Sequence, residues 1–328
     1  MIHFKEISRT QFLKEYWQKK PLLIKQALPN FISPMPADEL AGLALEEEFE
    51  SRLITGSTKS QDWSLRNGAF TEQDFTNLPA QDWTLLVQGV DRYIDEVHDL
   101  IQHFDFIPRW RFDDVMISYA AKGGSVGPHF DHYDVFLLQG SGKRRWHLSS
   151  KNCEMDNYLD DAPLRIMNTF PVEQTFDVEP GDVLYVPPKI AHHGVSLDDN
   201  CTTLSFGYRA YSAREMHEFI GKTCPKNLDT YYQDPEWQEN QDPNFIPESA
   251  LKQAQKLLDI NAEQFAQFVT KLDTNDVKIL QEFEYENPNE PLTSHPASKI
   301  AYIEKNGKRQ VFINGEPFRK SDLLKMDE

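Results

Sequence analysis

Gly127-Pro128-His129-Phe130-Asp131 offers a metal ion two donors within five residues. Gly181-Asp182-Val183-Leu184-Tyr185-Val186-Pro187-Pro188-Lys189-Ile190-Ala191-His192 answers it with a third donor, 61 residues beyond Asp131. Two imidazoles and one carboxylate form the facial triad that holds Fe(II) on one side and leaves the opposite positions open. Alternate residues of an extended chain share a face, so one strand would turn His129 and Asp131 toward the same ion. His-x-Asp triplets are common by chance, and the surroundings carry the reading. Val135-Phe136-Leu137-Leu138 follows the first motif and Val183-Leu184-Tyr185-Val186 lies within the second, both apolar runs of strand length. Pro187-Pro188 cannot continue a ladder, so the chain is expected to leave the sheet just before it delivers His192 or His193.

Further motifs fall in a fixed order around these two. Asp113-Asp114-Val115-Met116-Ile117-Ser118-Tyr119 comes before Gly-Pro-His-x-Asp, and Tyr133-Asp134-Val135-Phe136-Leu137-Leu138-Gln139-Gly140 and Gly142-Lys143-Arg144-Arg145-Trp146 come after it, ahead of the Pro180-Gly-Asp stretch. With the opening Tyr16-Trp17-Gln18-Lys19-Lys20-Pro21-Leu22-Leu23-Ile24, the series resembles the JmjC-type 2-oxoglutarate oxygenases. Within that group it is most similar to the bacterial ribosomal oxygenases, arginine 3-hydroxylases of a large-subunit ribosomal protein of the L-sixteen type. The resembling motifs span about residues 10–210. The resemblance implies an α+β chain whose core is a double-stranded β-helix (a jelly roll, cupin-like and of the JmjC kind), with helical additions and a C-terminal winged-helix-like domain. Its implied divisions are an oxygenase domain over residues 1–210 with the barrel at about 105–210, a helical dimerisation region over 211–272, and the winged-helix-like part over 273–328. His129, Asp131 and His192 become the iron ligands. The family spacing, five residues after the first proline of the pair, selects His192 over His193. Fe(II) is the implied cofactor and 2-oxoglutarate and O2 the cosubstrates, with decarboxylation to succinate coupled to hydroxylation of an unactivated carbon.

The far carboxylate of 2-oxoglutarate needs a cation, and Lys143, Arg144 and Arg145 compete for that place. Strand alternation puts Arg144 with Trp146 and Leu148 on one face, and Lys143 and Arg145 with His147 on the other. The face carrying Trp146 and Leu148 is the better interior, and a planar guanidinium grips a carboxylate bidentately. Arg144 also matches the basic position of the family, and Ser118 resembles a hydroxyl that assists there. An arginine substrate would be met by acidic or aromatic groups near the iron, for which Tyr133 and Asp134 are the candidates.

A net charge of −18 opposes direct binding to nucleic acid and suits a basic protein partner such as a ribosomal protein. The opening residues lack the apolar core of a secretory signal and no run approaches a membrane span, so a cytoplasmic enzyme without membrane contact is expected. Cys153, Cys201 and Cys224, three and widely spaced, read as reduced thiols rather than a disulfide framework or zinc site. Two alternatives to a hydroxylase come from other classes: a cupin-like metalloenzyme such as an isomerase, which has no use for Arg144 or oxygen, and a scaffold with vestigial ligands. A demethylase or hydroxylase of another protein is a close variant of the leading function.

Along the chain, Thr10 is placed to cap a helix through Phe12 and Tyr16 to Trp17, before Pro21 and a strand at Leu22-Leu23-Ile24. Residues 36–100 read as helix and loop, with 41–50 and 85–103 the clearest helices. Thr202-Thr203-Leu204-Ser205-Phe206-Gly207-Tyr208-Arg209 alternates like a last barrel strand. Helical periodicity returns at 213–222, 248–271 and 276–283, with a loop over 234–247, and Asn306-Gly307 marks a hairpin across 300–313. Helices followed by a hairpin match the winged helix, yet residues 211–328 hold 14 Lys or Arg against 21 Asp or Glu, a net of −7. That balance favours a structural or protein-binding module. The resemblance implies a homodimer built on the helices after Tyr211.

Overall fold

The computed structural model describes residues 1–60, 62–221 and 227–318; Cys224 and the last residue of the expected 213–222 helix lie outside them. The chain forms two compact units, residues 1–103 with 113–208, and residues 104–112 with 209–318 of the described chain.

The first unit holds eleven strands: β1 (Leu22–Ile24), β2 (Ser51–Thr55), β3 (Ser64–Asn67), β4 (Trp83–Val87), β5 (Phe112–Ala120), β6 (Asp134–Ser141), β7 (Arg144–Ser149), β8 (Gln174–Val178), β9 (Val183–Val186), β10 (Ala191–Ser196) and β11 (Cys201–Tyr208). Eight of them form an antiparallel sheet in the order β1-β9-β6-β11-β5-β4-β2-β3, and β10-β7-β8 form a smaller one. Val135, Leu137, Leu184 and Val186 of the large sheet pack against Trp146, Leu148 and Val178 of the small one. Burial of apolar side chains between two antiparallel sheets is the jelly-roll solution to the edge problem. In β9 and β11 every residue is buried, as the apolar runs predict. On the outer side of the large sheet, Phe12, Trp17, Phe136, Tyr185 and Tyr208 form an aromatic layer with ring centroids 4.9–6.4 Å apart.

Four expectations are corrected here. The sheet starts well before residue 105, because β1 to β4 belong to it. The expected helix over 85–103 is instead the end of β4, 3-10 turns at Val90–Arg92 and Asp99–Phe104, and one short α turn. A five-residue apolar run, Trp83 to Val87, cannot be told from helix by periodicity, and Gly89 at φ +63° ends any continuation. The helix proposed over 41–50 ends at Leu43. Helices of this unit are α1 (Arg9–Glu15), α2 (Ala37–Leu43), α3 (Glu72–Thr76) and α4 (Asp95–His98). The cap of α1 is Ser8, whose Oγ accepts from Gln11 N at 3.0 Å, and not Thr10.

The second unit contains α5 (Ala213–Ile220), α6 (Glu248–Ala254), α7 (Ala262–Val269) and α8 (Thr274–Glu286), then an antiparallel sheet of β12 (Ile300–Lys305), β13 (Lys308–Ile313) and β14 (Glu316–Pro317). The single periodic stretch over 248–271 is two helices, because Asn261 starts a new one as a capping box with Gln264. Asn306 (φ 53°) and Gly307 (φ 71°) make the two-residue turn their sequence foretells. The unit is held around Trp110, Tyr211, Tyr232, Phe265 and Phe268, with the buried pair Arg111 and Asp234 at 2.8 Å.

Candidate metal centre

His129 and Asp131 lie in the extended lead-in to β6. This segment pairs with β10 at one bridge, His129 with His192, through His129 N to His192 O (3.1 Å) and His192 N to His129 O (2.7 Å). The two motifs are therefore cross-strand neighbours, although His129 and Asp131 precede the regular strand rather than ride on it. Gly127 sets the approach: at φ +79° it turns the chain, and a Cβ there would stand 3.0 Å from Ile166. The proline pair takes the chain out of the large sheet just before His192, as expected. It ends β9, and four residues later the chain has entered β10 of the small sheet, which carries His192.

His129 Nδ1 lies 3.0 Å from Gly127 O and His192 Nδ1 3.3 Å from Ile190 O. Carbonyl partners fix the proton on Nδ1 and leave Nε2 as the donor for a metal. Those Nε2 atoms lie 3.9 and 3.6 Å from Asp131 Oδ2, and the three side chains place one ligand atom each within 4.8 Å of one another. Burial, with the neighbouring His129, pushes the His192 imidazole down to about 4, so it is neutral and able to ligate at neutral pH. His193 faces away. It is paired in register with His147, touches Phe170 at 6.2 Å between ring centroids, and lines a separate cavity of about 800 Å³ with Lys122 and Asp82. Gly194 seats the Trp146 ring, since a Cβ would fall 2.6 Å from it; Trp146 in turn stands 5.8 Å from the His192 ring.

Alternation along β7 holds as read. Arg144, Trp146 and Leu148 are buried, while Arg145 pairs outside with Asp177 at 2.7 Å and Lys143 with Glu179 at 2.6 Å. Arg144 is 3% exposed, yet its Nη2 has no hydrogen-bond acceptor among the described residues, and neither has Trp146 Nε1. Ser118 is buried on β5 and donates to Thr203 O at 3.5 Å.

A pocket of about 330 Å³ opens over His129 and Asp131, lined by Tyr133, Met116, Gln88, the acids Asp113 and Asp114, and the arginines Arg52 and Arg165. Burial and the charge of Asp113 raise Asp114 to about 6. Its Oδ2 accepts from Gln88 Nε2 (2.6 Å) and Gly89 N (2.9 Å). Tyr133, 40% exposed, lines this pocket as expected. Asp134 does not, and its candidacy as a substrate contact is withdrawn. Strand parity turns it to the opposite side, where its buried carboxylate accepts from Tyr185 Oη and Gln18 Nε2. An acid that does line the pocket is legible in the same way: counting back by twos from Ser118 puts Met116 and Asp114 on the inner face of β5.

Residues 99–216 match the JmjC domain family. The chain is 37% identical over 262 residues to the ribosomal protein uL16 3-hydroxylase of Escherichia coli K12, a match covering 78% of this chain and 69% of that one. It is 39% identical over 214 residues to a probable ribosomal oxygenase of Haemophilus influenzae Rd, covering 64% of this chain and 52% of the relative. The structure of YcfD, a ribosomal oxygenase from Escherichia coli, in complex with cobalt and 2-oxoglutarate superposes with a TM-score of 0.65 at 28% identity, over 98% of this chain and 88% of that one. With the jelly roll, the His-Asp-His cluster and the extent of these matches agreeing, the chain belongs to the JmjC-domain ribosomal oxygenases.

Proposed function

We propose that this protein is a 2-oxoglutarate- and Fe(II)-dependent hydroxylase of an arginine in a large-subunit ribosomal protein of the uL16 type. The observation that carries it is the donor cluster of His129, Asp131 and His192, of which His129 and Asp131 line a pocket that also holds Asp113 and Asp114. The donor set fits Fe(II), with two imidazoles and one carboxylate. Fe(II), with 2-oxoglutarate and O2, supplies the oxidising power to hydroxylate an unactivated carbon. The chain's residues do the rest. His129, Asp131 and His192 hold the ion, and Gly127 O and Ile190 O keep both rings oriented. Arg144, whose buried Nη2 lacks an acceptor among the described residues, meets the far carboxylate of 2-oxoglutarate, and Ser118 on the inner face of β5 assists there. Asp114 and Asp113 attract the guanidinium of the substrate, and Tyr133 and Met116 pack against its methylenes.

The test is reaction of the Fe(II) enzyme with 2-oxoglutarate, air and a recombinant uL16-type ribosomal protein, read by peptide mass spectrometry. A gain of about 16 Da on one arginine, absent with His129→Ala, is expected. Turnover of 2-oxoglutarate without that mass overturns the substrate; no turnover with metal bound overturns the enzyme.

Asp114 gives a second test with a stability arm. Its carboxyl titrates near 6, so affinity for an arginine substrate is present above that pH and falls as pH drops through it. Asp114→Asn weakens binding at pH 8 about tenfold to a hundredfold, the worth of one hydrogen bond to a charged group, and flattens the pH dependence. A folded-state pKa raised above the unfolded 3.8 means stability is lost as pH rises through 6, so the charge burdens the fold at pH 8. Asp114→Asn therefore raises the unfolding midpoint there by about 2–4 °C per kcal/mol recovered. A variant that loses both binding and stability would count against the assignment.

The enzyme acts in the cytoplasm, where its ribosomal substrate is made; among the described residues no helix is long and apolar enough to cross a membrane. We also read residues 211–272 as a homodimer surface and the end of the chain as a winged-helix-like module that does not bind DNA. Phe219, 42% exposed on α5, and the net charge of −7 support this. Sedimentation of the wild type as a dimer and of Phe219→Glu as a monomer is expected; a monomeric wild type would refute it.

A further inference from the structure

Arg144 is held by an unusual partner. Its Nε donates to Cys201 Sγ at 3.4 Å, and the same sulfur accepts from Gln139 Nε2 at 3.3 Å. Cys201 opens β11 and is fully buried. Gln139 is fixed in turn: its Nε2 also donates to Ser141 O at 2.8 Å, and its Oε1 accepts from Thr203 Oγ1 at 3.2 Å. Thr203 O takes the hydroxyl of Ser118 at 3.5 Å. A continuous line of contacts thus runs from Ser118 through Thr203, Gln139 and Cys201 to Arg144, crossing β5, β11, β6 and β7.

We propose that Cys201, oriented by Gln139, positions the Arg144 guanidinium so that its Nη2 edge faces the far carboxylate of 2-oxoglutarate. This rests on Arg144 being the cation for that carboxylate. The choice of sulfur has a physical reason. A buried guanidinium would ordinarily take a carboxylate partner, as Arg111 takes Asp234 in this chain. Such a partner beside Arg144 would neutralise it and compete with the cosubstrate for the same donors. A thiol is a weak acceptor, enough to fix the Nε side and too weak to quench the charge. Cys201 touches neither cosubstrate nor metal in this arrangement; it acts through Arg144.

The experiment compares two acids on the Mn(II)-loaded enzyme by calorimetric titration: 2-oxoglutarate, and 2-oxopentanoate, which has a methyl group in place of the far carboxylate. Cys201→Ala and the volume-keeping Cys201→Val should weaken 2-oxoglutarate about fivefold, the worth of one net hydrogen bond. They should leave 2-oxopentanoate unchanged, while Cys201→Ser, which keeps an acceptor, restores wild-type affinity. In turnover, KM for 2-oxoglutarate rises by the same factor with kcat held within about twofold. In an Arg144→Ala background, Cys201→Val should add nothing. Equal weakening of both acids, unchanged 2-oxoglutarate affinity, or additivity with Arg144→Ala overturns the proposal. If Arg144→Ala itself leaves 2-oxoglutarate affinity intact, the cosubstrate assignment of Arg144 fails first, and the two failures are told apart. Should Cys201→Ala not fold, Cys201→Val carries the decision.

Discussion

His192→Ala abolishes hydroxylation, lowering the rate by more than about a hundredfold, beyond the ten- to hundredfold that loss of a partner hydrogen-bonded to a metal ligand costs. The reason lies in how few donors the cluster has. Only His129, Asp131 and His192 place ligand atoms within 4.8 Å of one another among the described residues, and removal of one leaves a two-point site. His193 cannot stand in. It is the next residue on the same strand, so its ring is on the other face of the small sheet with His147 and Phe170. His193→Ala should retain at least about half of the activity, because its loss removes no donor. The measurement is metal content and succinate formation for both variants under identical loading. Removal of the ion by a chelator should silence the wild type, and Fe(II) should restore it. The fold should tolerate the substitution, since His192 is a neutral imidazole whose ring is bound by one carbonyl. A His192→Ala protein that still forms succinate at near wild-type rate would remove the triad from the mechanism.

Which parts of this site could be read from the chain follows from how local each signal is. His129 and Asp131 are two residues apart, and His192 follows a proline pair that marks a strand end, so the donors of the cluster can be read without knowledge of which strands pair. Arg144 needed only the parity of β7. Asp134 is near Asp131 in sequence but not in its contacts, because parity sends it to Tyr185 and Gln18. Asp114 needed parity along β5 anchored at Ser118. The partnership of Cys201 with Arg144 and Gln139 was out of reach of any such count, because it spans 57 and 62 residues and depends on how β6, β7 and β11 come together. Over residues 36–100 the strands are not legible for a different reason. Short apolar runs such as Trp83 to Val87 carry no periodicity that separates strand from helix, and the large sheet, built from distant strands, decides between them.

Arg144→Ala raises the KM for 2-oxoglutarate by at least about a hundredfold, from the 3–5 kcal/mol that accompanies loss of one member of a buried ion pair. Its effect on the fold in the absence of cosubstrate should be small, within about 1 kcal/mol, and this contrast is the useful part. A guanidinium that is 3% exposed, with Nη2 lacking an acceptor, incurs a desolvation cost that no carboxylate among the described residues offsets. Alanine removes that cost while losing the packing of the side chain over Trp146, at 5.6 Å from its ring. Ligand binding should then report on stability asymmetrically. For the wild type, 2-oxoglutarate at 100 times its Kd raises stability by about 2.7 kcal/mol, and at the same concentration the variant should gain little. Arg144→Lys keeps the charge but gives up the planar fork and the Nε contact to Cys201, so an intermediate KM is expected. Thermal unfolding of the three proteins with and without 2-oxoglutarate, beside the KM values, makes the comparison. If 2-oxoglutarate stabilises Arg144→Ala as strongly as the wild type, the carboxylate is held elsewhere and Arg144 is a structural cation. If the variant unfolds without ligand at a far lower temperature, the guanidinium serves the fold, and its lack of an acceptor does not mark a ligand site.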